Sequence, residues 1–199
     1  MWSTPLRGDA YGMAILRRRL LLCLLSAPVL AQAPAPAQRQ RLTLEQMFEA
    51  LRHAPDDASA RAVEAQIWQV WIQGGSPAVQ LLMRRGIRHL ESRSLEDAIE
   101  DFNAVIALAP ELPEGWNKRA TAYYLAGDYQ NALRDIRETL AREPRHFGAL
   151  VGLSHILEAD GDPRGALRAY EQALAIHPRL AGHEQRLKDL RRKALGEES

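Results

Sequence analysis

The chain has 199 residues, 46% of them apolar and 26% charged, with 26 Lys and Arg against 25 Asp and Glu. That length and apolar fraction suffice for one globular unit with a buried core and appendages, and the near balance of charge excludes the broad cationic footprint that nucleic-acid binding requires. The single cysteine, Cys23, excludes an intramolecular disulfide and a thiolate zinc cage.

Arg17, Arg18 and Arg19 precede an apolar run from Leu20 to Leu30, and the small residues Ala31 and Ala33 follow it. This is the layout of an export signal. The run is about 11 residues long, against the roughly 20 that a spanning helix needs, and Pro28, Pro34 and Pro36 would interrupt any extension of it. Residues 1–31 are expected to be a signal peptide cut after Ala31, giving a periplasmic or secreted protein; an uncleaved anchor is the competing reading. Met13 offers a second start and a signal of ordinary shape. Without residues 1–31 the chain keeps 22 basic and 24 acidic residues and no thiol.

Residues 32–41 are an Ala/Pro-rich linker, semi-rigid because proline fixes its own φ and restricts its predecessor. A helix pair is expected over 42–75. Thr43 with Gln46 fits a capping box that opens a helix from Leu44 to His53, closed by Pro55. Asp56 or Asp57 caps a second helix from Ala58 to Gln73, ended by Gly74 and Gly75. Its apolar stripe is read as Ala58, Ala62, Ala65, Trp68 and Ile72, widened by Val63, Ile67, Val70 and Trp71.

From position 79 the chain repeats every 34 residues. Ala98, Ala132 and Ala166 share one column; Phe102, Ile136 and Tyr170 the next; Pro110, Pro144 and Pro178 a third. The alanines belong where two antiparallel helices approach closely, the bulkier column fills the space beside them, and each proline ends a second helix. Gly127 and Gly161 mark turns, with Arg93 in the equivalent place. Ser76, Ser94, Asp128 and Asp162 sit at helix starts.

These columns resemble the tetratricopeptide-repeat (TPR) family, whose 34-residue unit is a helix–turn–helix. Residues 113–146 match best, with Trp116, Ala120, Tyr123, Gly127, Ala132, Ile136 and Pro144. The resemblance implies an all-α fold: a right-handed α-solenoid of three helix pairs, 79–112, 113–146 and 147–180, with flanking helices. The pair at 42–75 is expected to cover one end of the stack, with Trp68 and Trp71 wedged against the first repeat. Residues 181–199 are expected to supply a capping helix and tail at the other end.

The residues offer little chemistry. No two of the six histidines stand at i, i+4 around a glutamate, as a helical zinc site requires. His155 and Glu158 are one turn apart, too few for a metal site, and read as a polar pair on an exposed face; a metal-dependent hydrolase built on them is a remote alternative. No phosphate loop or nucleophile elbow occurs. No enzyme activity and no cofactor are expected.

The resemblance implies instead a concave groove lined by the first helix of each pair and able to hold a peptide or protein. The residues implied are Met83 and Ile87 from the first repeat, Asn117, Thr121 and Tyr124 from the second, and Val151, His155 and Glu158 from the third, with Gln80, Leu90, Glu114 and Gly148 beside them. Family members that clamp a chaperone's terminal carboxylate carry fixed polar residues there; the matching places hold Met83, Ile87, Lys118, Gly148 and Gly152, so that clamp is essentially absent. Lys118 reads as a solvated surface lysine. The function expected is an adaptor or assembly factor of the bacterial cell envelope with an unidentified protein or peptide partner, or alternatively a self-associating scaffold.

Overall fold

The computed structural model describes residues 42–196, and within them the backbone forms nine helices and no strand. The predicted signal and linker lie outside the described residues. α1 (Leu44–Arg52) opens on the reciprocal capping box: the Gln46 N–H donates to Thr43 Oγ1 at 3.3 Å and the Thr43 N–H to Gln46 Oε1 at 2.9 Å. α2 (Asp57–Ile72) is capped by Asp56, which accepts from the Ser59 N–H at 2.7 Å.

The periodic region gives α3 (Pro77–Glu91), α4 (Leu95–Leu108), α5 (Pro113–Leu125), α6 (Tyr129–Arg142), α7 (Phe147–Ala159) and α8 (Pro163–Ile176), with α9 (His183–Ala194) behind them. Ser76, Asp128 and Asp162 cap α3, α6 and α8 through their side chains, whereas Ser94 stands at the α4 start without such a bond. Gly127 and Gly161 adopt φ of 80° and 82°, and Arg93 is held at 63°. The same left-handed turn is therefore imposed on a residue with a β-carbon, at a steric cost.

α3 packs on α4, α5 on α6 and α7 on α8 as antiparallel pairs, each pair stacking on the next. Ala98, Ala132 and Ala166 are fully buried at the crossings, flanked by buried Phe102, Ile136 and Tyr170. Across the first crossing, a β-carbon on Gly86 would stand 2.6 Å from the Phe102 ring. One further 34-residue column emerges only in three dimensions. Arg85 pairs with Asp101, and Arg119 with Asp135 through two hydrogen bonds of 2.7 and 2.8 Å. Each clamps the two helices of its repeat, because a buried aspartate needs a cation beside it.

α9 closes one end of the stack as expected, burying Leu190 and half-burying Leu187. The other end differs from expectation. α1 and α2 do not lie over α3; they cross the loops that join repeats and the first turns of α5 and α7. Arg145 pairs with Glu45, Arg179 with Asp57, and Arg179 also donates to the carbonyls of Ala54 and Pro55. The α3 face that a preceding helix would cover carries exposed Leu81, Arg84 and Arg88. In α5 the place of Leu81 is Gly115, whose added β-carbon would lie 2.8 Å from Val105 of α4, and the place of Arg88 is the buried Ala122. The α3 face at the stack's first end is therefore left uncovered, with Arg84 and Arg88 beside the exposed Leu81.

The buried face of α2 also differs from the predicted stripe. Ala60, Ile67 and Trp71 are buried with Val63, Glu64, Trp68 and Ile72 half-buried, whereas Ala58, Ala62, Ala65 and Val70 face solvent. Alanine is weakly apolar and tolerates either side, so the large residues select the face.

Candidate functional site

Trp68 and Trp71 pack against the third repeat rather than the first. Trp71 stacks on His146, with ring centroids 3.9 Å apart and planes 9° apart, and Trp68 meets Trp71, His146 and Phe147 edge-on at 5.2 to 5.6 Å. Phe48 of α1 and Ile67 complete this core. Trp68 lies directly over Gly148, where a β-carbon would come within 2.5 Å of the indole. Glycine at that position is what admits the ring.

Beneath the aromatics lies a buried polar cluster. Glu114 is fully buried and contacts His146 Nε2 at 2.9 Å, receives a hydrogen bond from the Asn117 amide at 3.0 Å, and has the Lys118 ammonium at 3.2 Å. Burial pushes the Glu114 carboxyl up, but the hydrogen bond from His146 and the charge of Lys118 outweigh it and hold the group below the usual carboxylate range. The other ring nitrogen of His146 accepts the Ala149 N–H at 3.1 Å, so this histidine also caps α7. Glu64 of α2 meets His177 at 3.3 Å and accepts from the Trp68 indole N–H at 3.2 Å. The His177 hydrogen bond holds the Glu64 carboxyl below its ordinary value, against the upward push of burial.

Between α2, α5 and α7 the concave face retains an open cavity of about 420 Å³. Of the predicted groove residues, Asn117, Thr121, Tyr124, Val151 and His155 line it. Thr121 Oγ1 donates to the Asn117 carbonyl at 3.0 Å, and Tyr124 lies 5.7 Å from the Tyr129 ring and 6.4 Å from His155. Burial, helped by the Arg186 charge, lowers the His155 pKa below its ordinary value. Arg186 of α9 lies 3.2 Å from His155 Nδ1.

Three predicted residues fall elsewhere. Met83 is 0% exposed inside the first repeat's core with Val79, Ala98 and Phe102, and Ile87 packs on that core rather than on the cavity. Both share the register of Asn117 and Thr121, but in the first repeat those places pack against Val79, Ala98 and Phe102. Glu158 is held at 2.6 Å by both Arg186 and Lys193 of α9; burial would raise its pKa, and the two cations bring it below the ordinary value instead. His155 and Glu158 are thus parts of the α9 seat, not an exposed polar pair. Lys118 is likewise not a solvated lysine: its side chain is 22% exposed and its ammonium sits 5.1 Å over the Trp68 ring.

The sequence reading missed Glu64, Trp68, Ile156 and Leu180 as lining residues, and gave Gly152 only as a place where the carboxylate clamp is absent. A usable signal existed in α7, where Gly148 in the first turn is followed one turn later by Gly152 in a helix interior that glycine disfavours. Among the described residues no three His, Cys, Asp or Glu side chains cluster as metal ligands, and no helix is long and apolar enough to cross a membrane.

The sequence profile described as Tetratricopeptide repeat matches residues 83–144 and 117–181. A TPR repeat-containing protein of Rhizobium etli is 33% identical over 162 residues, covering 81% of this chain and 78% of that relative. The chain belongs to the tetratricopeptide-repeat family. Tetratricopeptide repeat protein 36 of Caenorhabditis briggsae is 41% identical, over only 30% of this chain and 33% of its own length. Among solved structures, the first TPR of Spaghetti (RPAP3) bound to HSP90 peptide SRMEEVD superposes with a TM-score of 0.57 at 20% identity, over 61% of this chain and 96% of that one. MamA superposes with a TM-score of 0.52 at 19% identity, over 77% and 85%. These likenesses establish the fold.

Proposed function

We propose that this TPR protein is a protein-binding adaptor or assembly factor of the bacterial cell envelope, holding a segment of its partner on the concave face between α5 and α7. The observation that carries this reading is the open cavity of about 420 Å³, lined by five residues that the repeat register places in the groove. A concave, mainly apolar site with a few convergent polar groups is the ordinary form of a binding pocket. The solved TPR domains of RPAP3 and of yeast Sti1 are held in complexes with chaperone peptides, which supports a binding role for this groove. The envelope address rests on the arginines and apolar run of residues 17–30.

A photo-crosslinking residue placed at Thr121 in cells, compared with one at Arg137 on the far side of α6, tests the site. A discrete adduct from Thr121 alone is expected; equal or stronger adducts from Arg137 would refute groove binding. Intact-mass measurement of the protein from a periplasmic fraction is expected to begin at Gln32, and recovery of an intact N-terminus from the cytosol would refute export.

A further inference from the structure

The charged groups around the cavity are already matched. Glu64 is engaged by His177 and by the Trp68 indole N–H, and Lys118 by Glu114 and the Trp68 ring. An ionic ligand would have to break one of these pairs in a partly desolvated site to gain its own. The walls that remain are mainly apolar, Trp68, Val151, Ile156 and Leu180 with the Tyr124 ring at one side, and their polar groups Asn117, Thr121 and His155 are uncharged or already hydrogen-bonded.

The two α7 glycines divide the labour. Gly148 is required by packing, because Trp68 occupies the space of its missing side chain. Gly152 is not: a methyl there would meet only Ile136 Cδ1, at an ordinary 3.5 Å. A helix-interior glycine is less stable than alanine, so packing does not account for its presence, whereas the room it leaves in the cavity does. The opposite wall is fixed in advance, since Trp68 is gripped by Trp71, His146, Phe147 and Lys118. A pre-formed wall spares the ordering cost of binding.

We propose that this cavity is a pre-formed receptor for one uncharged, bulky apolar side chain of a partner polypeptide, an aromatic one by size, taken from within a segment rather than at a terminal carboxylate. Trp68 forms its wall and Gly152 its floor. The volume lies at the low end of the roughly 300–1,000 Å³ spanned by small-ligand sites, enough for an aromatic side chain and its flanking peptide groups. The inference rests on the groove reading above and narrows it to one ligand chemistry.

The probes are N-acetyl-tryptophanamide, neutral, and N-acetyl-tryptophan, with a free carboxylate, titrated into the isotope-labelled full chain and followed by NMR. The amide is expected to shift the Trp68 indole N–H and the Thr121 and Val151 signals with a Kd on the order of 1 mM, and the acid to bind at least threefold more weakly. Gly152→Ala is expected to raise Tm while weakening the amide severalfold, and Gly152→Leu to weaken it tenfold or more. Amide binding unaffected by both variants, acid binding equal to or tighter than the amide, or no shifts at all would overturn the proposal. Cavity shifts with the acid alone would overturn it while leaving the groove reading standing. Shifts confined to α9 or to the outer α2 face around Val70 would overturn both.

Discussion

Replacing Gly148 by alanine adds one methyl group where the structure leaves no room for it. The new β-carbon would stand 2.5 Å and 2.9 Å from two carbons of the Trp68 indole. Those atoms are the far end of a side chain, but not a compliant one: the ring is fixed edge-on by Trp71, His146 and Phe147 and covered by Lys118. Overpacking of this kind costs about 1–3 kcal/mol. The gain in helix propensity from glycine to alanine, at most about 1 kcal/mol, is reduced because residue 148 is the second residue of α7. A net loss of about 1–2 kcal/mol follows, and at about 2–4 °C per kcal/mol for a domain of this size Tm should fall by about 2–8 °C. Thermal unfolding followed by circular dichroism, with tryptophan fluorescence as a second probe, measures it. An unchanged or raised Tm with an unaltered fluorescence spectrum would show that Trp68 does not rest on Gly148, and the placement of α2 would fall with it.

Ala132→Leu places three extra carbons at a fully buried helix crossing and should destabilise by about 1–3 kcal/mol, readable as a lowered urea midpoint; an unchanged midpoint would contradict the repeat register. Arg93→Gly relieves a φ of 63° whose cost of about 1–2 kcal/mol exceeds the added chain entropy of about 0.4–1 kcal/mol, so a small rise in Tm is expected, and a fall would mean that the arginine side chain contributes more than its backbone strain costs. Acid should weaken the fold in two stages. His155, lowered from 6.5 by burial, stays neutral in the folded chain while the unfolded chain gains its proton, so stability declines as pH falls from about 6.5 toward the folded value. Glu64, Glu114 and Glu158, all lowered from 4.5, contribute stability that is present above that value and lost as pH falls through their folded values. Urea midpoints measured from pH 8 to pH 3 should show both stages, and His155→Gln should remove the upper one; a flat profile for the parent chain above pH 5 would refute the first.

The 34-residue columns of alanine, bulky residue and proline determined the helix pairs and their order, because each column answers a local requirement that recurs identically in every repeat: a close crossing, a filled gap, a helix end. The caps of α1, α2, α3, α6 and α8 were legible for the same reason, each being settled within four residues of sequence. Part of the cavity's repeat-derived lining was legible too, since Asn117, Thr121, Tyr124, Val151 and His155 follow from register alone. What register could not reach was any contact between segments that do not repeat. Nothing local distinguishes an α2 that caps α3 from one that crosses α5 and α7, because both bury Trp68 and Trp71. The choice is made by surfaces far along the chain: Gly148 that admits an indole, His146 and His177 that meet Trp71 and Glu64, and Arg145 and Arg179 that hold α1 and the start of α2. Lys118 and Glu158 changed meaning for the same reason, each being a surface charge until the tertiary fold brings Trp68 of α2 over Lys118 and Lys193 of α9 to Glu158. The sequence by itself determined a stack of helix pairs with a groove; the tertiary structure alone decided that α2 walls one side of that groove, since the free energy of that packing belongs to pairs of side chains that no single stretch of sequence contains.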